Sequence, residues 1–179
     1  MKVLLRDGQV MDGKFEQEEV KKAFWHTSSH VMAQAVKRLY PDTKCAIGPA
    51  IDNGFYYDFE FSFPFTEEHL RAVEGEMRRI VKEGLPLSVR EVNKADALAY
   101  MEKQKEDYKV EMIGELPDEE TITFYQQGEY EEFCSGPHIT NTGNIKAFKL
   151  LSLAGAYWRG DEHNKMLTRI YGISFPEAS

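Results

Sequence analysis

Two short stretches bring together side chains that can hold a metal ion or a reacting ester. "FWHTSSHVMAQAVKRLYP" carries His26 and His30, and "FCSGPHIT" carries Cys134 and His138 at the same spacing of four. On a helix that spacing sets two side chains side by side, so His26 and His30 can aim ring nitrogens at one point. Zinc proteases use the same spacing but need Glu directly after the first His as general base. Thr27 stands there, which excludes that chemistry. Joined to Cys134 and His138, the pair makes an acceptable tetrahedral zinc set. An isolated HxxxH is more often structural, and the conjunction of two pairs in a chain with five histidines singles these out. Lys109 reads either as a surface lysine balancing acidic neighbours or as a cleft lysine that stabilises developing negative charge. Tyr57 reads as an aromatic strand residue, or as a polar hook if its hydroxyl faces the histidines. His69 reads as a surface residue, His163 as a turn residue, and Cys45 as a small buried apolar one.

The elements that must position these residues follow from periodicity. "KVLLR", Asp7-Gly8 and "QVMDG" predict a hairpin over residues 2–13. From Glu16 to Tyr40 the period becomes helical, with Val20, Phe24, Val31, Ala35 and Leu39 on one stripe and Pro41 as the stop. That places the two histidines on a strip bordering the apolar face. Asn53-Gly54 marks a turn into a strand where Phe55, Tyr57, Phe59 and Phe61 alternate with Tyr56, Asp58 and Glu60. "TEEHLRAVEGEMRRIVKEG" reads as an amphipathic helix stopped at Gly84. "PLSVREV" reads as a strand and "KADALAYMEKQKEDY" as one further helix. After a strand at "TITFY" and a loop through "FCSGPH", "KAFKLLSLAGAYW" and "KMLTRIYGISF" read as strands. The expected class is α+β: helices packed on a largely antiparallel sheet, with a polar cleft between the HxxxH helix and the CxxxH loop. Residues 1–15 form the short hairpin and residues 16–179 the main unit.

Composition fits a globular chain of 179 residues, 42% apolar, with no apolar run long enough to span a bilayer. Arg6 and Asp7 cut the first apolar run too short for a signal-peptide core. The two cysteines suggest no disulfide framework, so a cytoplasmic protein with no membrane partner is expected. Net charge is −8, but its distribution matters more than its total. Residues 107–132 carry nine acids against Lys109 alone, whereas 139–171 carry Lys146, Lys149, Arg159, Lys165 and Arg169 against Asp161 and Glu162. The basic segment is either a phosphate-facing surface or a solvated face, and charge alone does not choose.

The blocks "HTSSHVMAQAVKRLYPDTKCAIGPAIDNGFYYDFEF", "YKVEMI", "EEFCSGPH" and "FKLLSLAGAYWRGDEHNKMLTRIYG" resemble, in order, the editing domain of bacterial-type threonyl-tRNA synthetase. Alanyl-tRNA editing domains share the HxxxH and CxxxH pairs, but "AIGPAIDNGFYYD" and "AYWRGDEHNKMLTRIYG" look threonyl. The resemblance implies hydrolysis of mischarged seryl-tRNA(Thr) to serine and tRNA. Serine lacks one methyl of threonine, which is worth only roughly 1–3 kcal/mol in a binding pocket, so a second site must supply the rest.

The resemblance also implies residue roles. His26 and Lys109 would order water and the terminal ribose hydroxyls. His30, Cys134 and His138 would shape the serine pocket, with Tyr57 lining it. Where the family has Asp two before the cysteine, this chain has Glu132, which keeps the charge on a longer arm. The threonyl type implies no required cofactor. The alanyl type implies zinc on His26, His30, Cys134 and His138, and the threonyl-like flanks favour the metal-free pocket. The implied partners are the tRNA(Thr) acceptor end, with Lys146, Lys149, Arg159 and Lys165 as charge candidates, and the synthetase catalytic core. Against that family the hairpin reads as a relic of a preceding ubiquitin-like domain. The chain also ends at "ISFPEAS", where the aminoacylation core would begin, so no aminoacylation is expected of it. An excised segment and a free-standing editing factor are both consistent with this.

Overall fold

Short strands on either side of Asp7-Gly8 form the first hairpin, β1 (Lys2–Leu4) and β2 (Val10–Asp12), with Gly8 at φ 88° in the turn. The computed structural model describes residues 1–177. Ala178 and Ser179, the end of the expected 16–179 unit, lie outside the described residues. The long helical period becomes α1 (Glu18–Leu39), with Glu18 and Glu19 in its first turn and Lys37 and Arg38 in its last, charges that suit the helix dipole. Three strands follow: β3 (Lys44–Cys45), β4 (Ala50–Ile51) and β5 (Gly54–Glu60). Then come α2 (Glu67–Glu83), capped by left-handed Gly84, and β6 (Leu87–Val92). The next elements are α3 (Lys94–Lys103), α4 (Asp107–Gly114), β7 (Ile122–Gln127), β8 (Tyr130–Phe133) and β9 (His138–Ile139). The long hairpin β10 (Ala147–Tyr157) and β11 (Met166–Phe175) ends the described fold.

These strands make three antiparallel sheets, ordered β2-β1-β9, β10-β11-β5-β3 with β4 beside β5, and β6-β7-β8. The expected α+β class is the one observed. Helix α1 packs on α2 and on β5, and the main core joins Phe24, Val31, Met32, Phe55, Phe59, Leu70, Val73 and Met77. A second cluster, Ala97, Met101, Ile113, Ile122 and Phe124, seats α3 and α4 on the β6-β7-β8 sheet.

Three expectations need correction. The amphipathic stripe on α1 is absent: the helix is buried nearly all round from Ala23 to Val36, because sheet, α2 and β9 enclose it. Its buried Thr27, Ser28 and Ser29 satisfy their hydroxyls by donating to the carbonyls of Ala23, Phe24 and His26. The single helix expected at "KADALAYMEKQKEDY" is two, α3 and α4, broken where Lys105 turns to φ 58°. That break re-aims the chain so that Lys109 faces inward. In β5, Phe55, Tyr57 and Phe59 are buried as expected, but Asp58 on the alternate face is buried too, in a two-pronged pair with Arg169.

Gly54 fixes the β5–β11 register, because at φ 125° a Cβ would sit 2.2 Å from the Gly172 carbonyl oxygen. Gly54→Ala is therefore expected to cost at least about 2 kcal/mol in a urea melt, from left-handed strain and backbone overlap together. An unchanged midpoint would refute this account of the register.

Candidate functional site

Helix α1 supplies His26 and His30, and the chain from β8 to β9 supplies Cys134 and His138, whose ligand atoms with those of the α1 pair all lie within 4.8 Å of one another. His26 stacks on His138 at 4.1 Å between ring centroids, and His30 lies 4.2 Å from the same ring. Tyr125 closes the other side of His138 at 4.5 Å. The helix and the loop expected to flank a polar cleft thus bring their His and Cys side chains together as one cluster.

The hydrogen bonds fix which nitrogens face inward. His26 Nδ1 donates to the Pro137 carbonyl at 3.3 Å, leaving Nε2 as an acceptor. Thr27 donates to the Ala23 carbonyl and accepts the Ile139 N–H, so His138 Nδ1 donates to Thr27 Oγ1 at 2.8 Å. That leaves His138 Nε2 to accept from the Cys134 thiol at 3.2 Å. Burial pushes His26 down to about 3, with His30 adding to the effect, and holds His138 well below the ordinary imidazole value. Burial, and then Glu132, push the Cys134 thiol up. This half of the site is uncharged at neutral pH.

The other half is built on Glu132, which β8 buries at 4% exposure. Its Oε1 accepts from the Tyr57 hydroxyl at 2.8 Å and from the Tyr130 hydroxyl. Its Oε2 meets Lys109 Nζ at 3.3 Å and lies 2.9 Å from His30 Nε2. The His30 contact lacks hydrogen-bond alignment, so that nitrogen has no aligned partner. Burial alone would raise the Glu132 carboxyl, but His30 and Lys109 override it and hold it well below the usual range. Burial, and then Glu132 itself, keep Tyr57 and Tyr130 protonated as donors. Lys109 is 3% exposed, and its ammonium lies 5.6 Å from the Tyr57 ring centroid.

All seven expected site residues thus meet: His26, Cys134 and His138 in the neutral half, Lys109, Glu132 and Tyr57 in the charged half, and His30 between the two. Tyr57 turns its hydroxyl to Glu132. Thr27, Tyr130 and Tyr125 were not among the expected residues. The alternation of "YEEF" puts Tyr130 on the Glu132 face and so carried a signal; Thr27 and Tyr125 carried none. The neighbouring cavity, of about 230 Å3, opens past Lys109, Tyr130 and Glu132 toward Lys37, Glu106 and Gln104, and none of the three histidines lines it. His69, expected at the surface, is half-buried and accepts the Thr66 N–H at 3.0 Å, capping α2. Cys45 is buried and His163 lies in an exposed turn, as expected. The basic candidates Lys146, Lys149, Arg159 and Lys165 are all exposed; Lys149 lies 3.7 Å from Glu74 and Arg159 is paired with Glu115 at 2.6 Å. Three imidazoles and one thiol, with His30 Nε2 lacking an aligned partner, fit a metal ion in chemistry and in spacing.

Residues 122–171 match the family described as threonyl and alanyl tRNA synthetase second additional domain. Across nearly its whole length the chain is 58% identical to a threonine-tRNA ligase of Caldanaerobacter subterraneus subsp. tengcongensis, over 97% of this chain and 27% of that protein. It is 56% identical to the ligase of Acetivibrio thermocellus, over 92% of this chain and 26% of that protein. For Clostridium botulinum strain Hall the identity is 54%, over 100% of this chain and 28% of the ligase. The likeness to these threonine-tRNA ligases runs over nearly the whole chain, and within it residues 122–171 match the second additional domain of threonyl and alanyl tRNA synthetases. The chain spans about a quarter of the length of these curated relatives. Cys134 and His138 lie inside the matched 122–171 stretch, and His26 and His30 lie before it. Among the described residues no helix is long and apolar enough to cross a membrane.

The neutral half has a consequence for stability. His26 and His138 have folded values below their unfolded value of about 6.5, so the unfolded chain binds more protons and stability falls as pH drops below about 6.5. Urea midpoints are expected to fall between pH 7 and pH 5, before the carboxylates titrate. His26→Asn should flatten that slope, and an equally steep slope in the variant would contradict the assignment.

Proposed function

We propose that this domain hydrolyses seryl-tRNA(Thr), releasing serine and tRNA by attack of water on the aminoacyl ester. The observation that carries the reading is the meeting of a neutral acceptor, His26 Nε2, with the buried Lys109–Glu132 pair in one cluster. An aminoacyl ester is already activated, so water needs placing more than it needs a strong base. With its value near 3, His26 is a weak base but stays an acceptor through the neutral range, which suits it to order water and the ribose hydroxyls. The water oxygen bonds to the ester carbonyl carbon and the carbonyl oxygen gains negative charge; as the carbonyl re-forms, the bond to the ribose oxygen breaks and that oxygen takes the proton the water gives up. Lys109 supplies the positive charge that stabilises the oxyanion.

His30, Cys134 and His138 shape the serine pocket and bind its amine and hydroxyl, with Tyr57 and Glu132 as its floor. Cys134 does not attack the ester, since burial keeps its thiol protonated and His138 accepts that proton's hydrogen bond. The partners are the acceptor end of tRNA(Thr) and the synthetase catalytic core, in the cytoplasm. No cofactor is required in this reading, which rests on the threonyl-like flanks and on the internal partners of Cys134 and His138. A second reading is favoured by the four converging ligand atoms: a zinc-dependent alanyl- or seryl-tRNA deacylase. His26, His30, Cys134 and His138 would hold the ion, which when bound would polarise the ester carbonyl.

The deciding experiment measures serine release from Ser-tRNA(Thr), with Thr-tRNA(Thr) and Ser-tRNA(Ala) as comparisons, with and without chelator. Release from Ser-tRNA(Thr) that survives chelator is expected. Loss on chelation would move the conclusion to the zinc reading, and no release at all would leave a non-catalytic tRNA- or zinc-binding module. Lys109→Ala, with rates corrected for the folded fraction, is expected to lose about 100-fold in kcat, the scale of one lost oxyanion partner. Wild-type kcat in that variant would remove Lys109 from the chemistry.

A further inference from the structure

Helix α4 carries Lys109, yet its grip on the β10–β11 side of the molecule is mostly polar. Asp107 and Glu111 on the helix and Glu115 at its C-cap fall at intervals of four, along one side of it. Each meets a donor from another element: Asp107 meets Lys44, Glu111 accepts the Trp158 indole N–H, and Glu115 accepts from Arg159 at 2.6 Å. Arg159 Nε also lies 3.5 Å from Glu111, and its guanidinium lies 5.2 Å from the Trp158 ring centroid. The apolar part of the contact is small, with Tyr108 against Trp158 at 4.9 Å and Ala46 and Leu167 beside them.

The backbone supplies an independent observation. Arg159, in the turn joining β10 to β11, stands at φ 59° and ψ 23°, the left-handed region that favours glycine. A strained non-glycine residue persists only where its surroundings hold it. Its guanidinium is engaged by Glu111 on the helix that carries the buried lysine and by Glu115 at that helix's C-cap.

We propose that Trp158 and Arg159 form a latch that holds α4 and so sets Lys109 against Glu132, making both positioning residues of the site. Arg159 acts through α4 and not as a phosphate contact. The latch is a statement about helix placement; its effect on rate rests on the deacylase reading above.

The test compares Arg159→Gly and Arg159→Lys in the full chain by hydrogen exchange of the α4 amides, by thermal melting, and by deacylation kinetics. Glycine relieves the left-handed backbone, so the variant is expected to melt no lower than wild type while its α4 amides exchange about 10-fold faster. Lysine keeps the charge without the fork and is expected to exchange at an intermediate rate. On Ser-tRNA(Thr), Arg159→Gly is expected to lower kcat about 10-fold with KM held within about 2-fold. Unchanged α4 exchange in Arg159→Gly overturns the latch. A raised KM with intact kcat and a shallower salt dependence also overturns it and makes Arg159 a tRNA contact. If wild type releases no serine, the deacylase reading falls while the exchange data still decide the latch.

Discussion

A buried carboxylate must be answered on every side, and the architecture of this domain is organised around doing so for Glu132. Taking one carboxylate out of water costs several kcal/mol even after relaxation. One ammonium at 3.3 Å returns about 5 kcal/mol at an effective dielectric near 20, so a single partner only roughly breaks even. The two phenols and the imidazole supply the rest, and each comes from a different element: Tyr57 from β5, Tyr130 from β8, His30 from α1, and Lys109 from α4. The gain is therefore in uniqueness more than in stability. Only one mutual placement of those four elements satisfies all four contacts.

The division of labour between the two oxygens gives the site its polarity. Oε1 takes both neutral donors, and Oε2 faces the ammonium and His30. Beyond His30 the charge ends: His26, His138 and the Cys134 thiol stay neutral because burial penalises their charged forms. An ester carbonyl placed across this boundary would meet positive charge on one side and a proton acceptor on the other. Strand β9 is equally constrained. It pairs with the N-terminal strand at Leu4↔His138 and Val3↔Ile139, while Thr27 on α1 accepts its amide. The first residues of the chain thereby help to hold one of the last site histidines.

Much of the fold is legible in the sequence where one physical signal dominates. Period-two aromatics mark β5, a glycine stop ends α2, and a polar turn divides the first hairpin. Legibility fails where tertiary contacts outvote local pattern. Lys105 carries no helix-breaking side chain, yet the chain breaks there, between α3 and the helix whose acids are drawn to Lys44, Trp158 and Arg159. The α1 pattern suggests one apolar face because Thr27, Ser28 and Ser29 look exposed. They are buried because each short hydroxyl can return its hydrogen bond to its own helix. Of the site, residue types at fixed spacing pick out the histidines and Cys134. No periodicity connects Lys109 to Glu132, which lie 23 residues apart and on different elements.

The longer arm of Glu132 fits this account. Strand β8 places its Cα, while Lys109 is placed independently by α4, and the two meet only if the side chain spans the gap. An aspartate would retract the carboxylate by one methylene, roughly 1.5 Å, and lengthen the 3.3 Å contact to Lys109 and the 2.8 Å bond from Tyr57 together. To recover both, α4 or β8 would have to move, and α4 is tied by its acidic face to Lys44, Trp158 and Arg159. Arm length at position 132 and the polar seat of α4 are thus coupled. Either can vary only if the other compensates, since the buried charge leaves no slack between them.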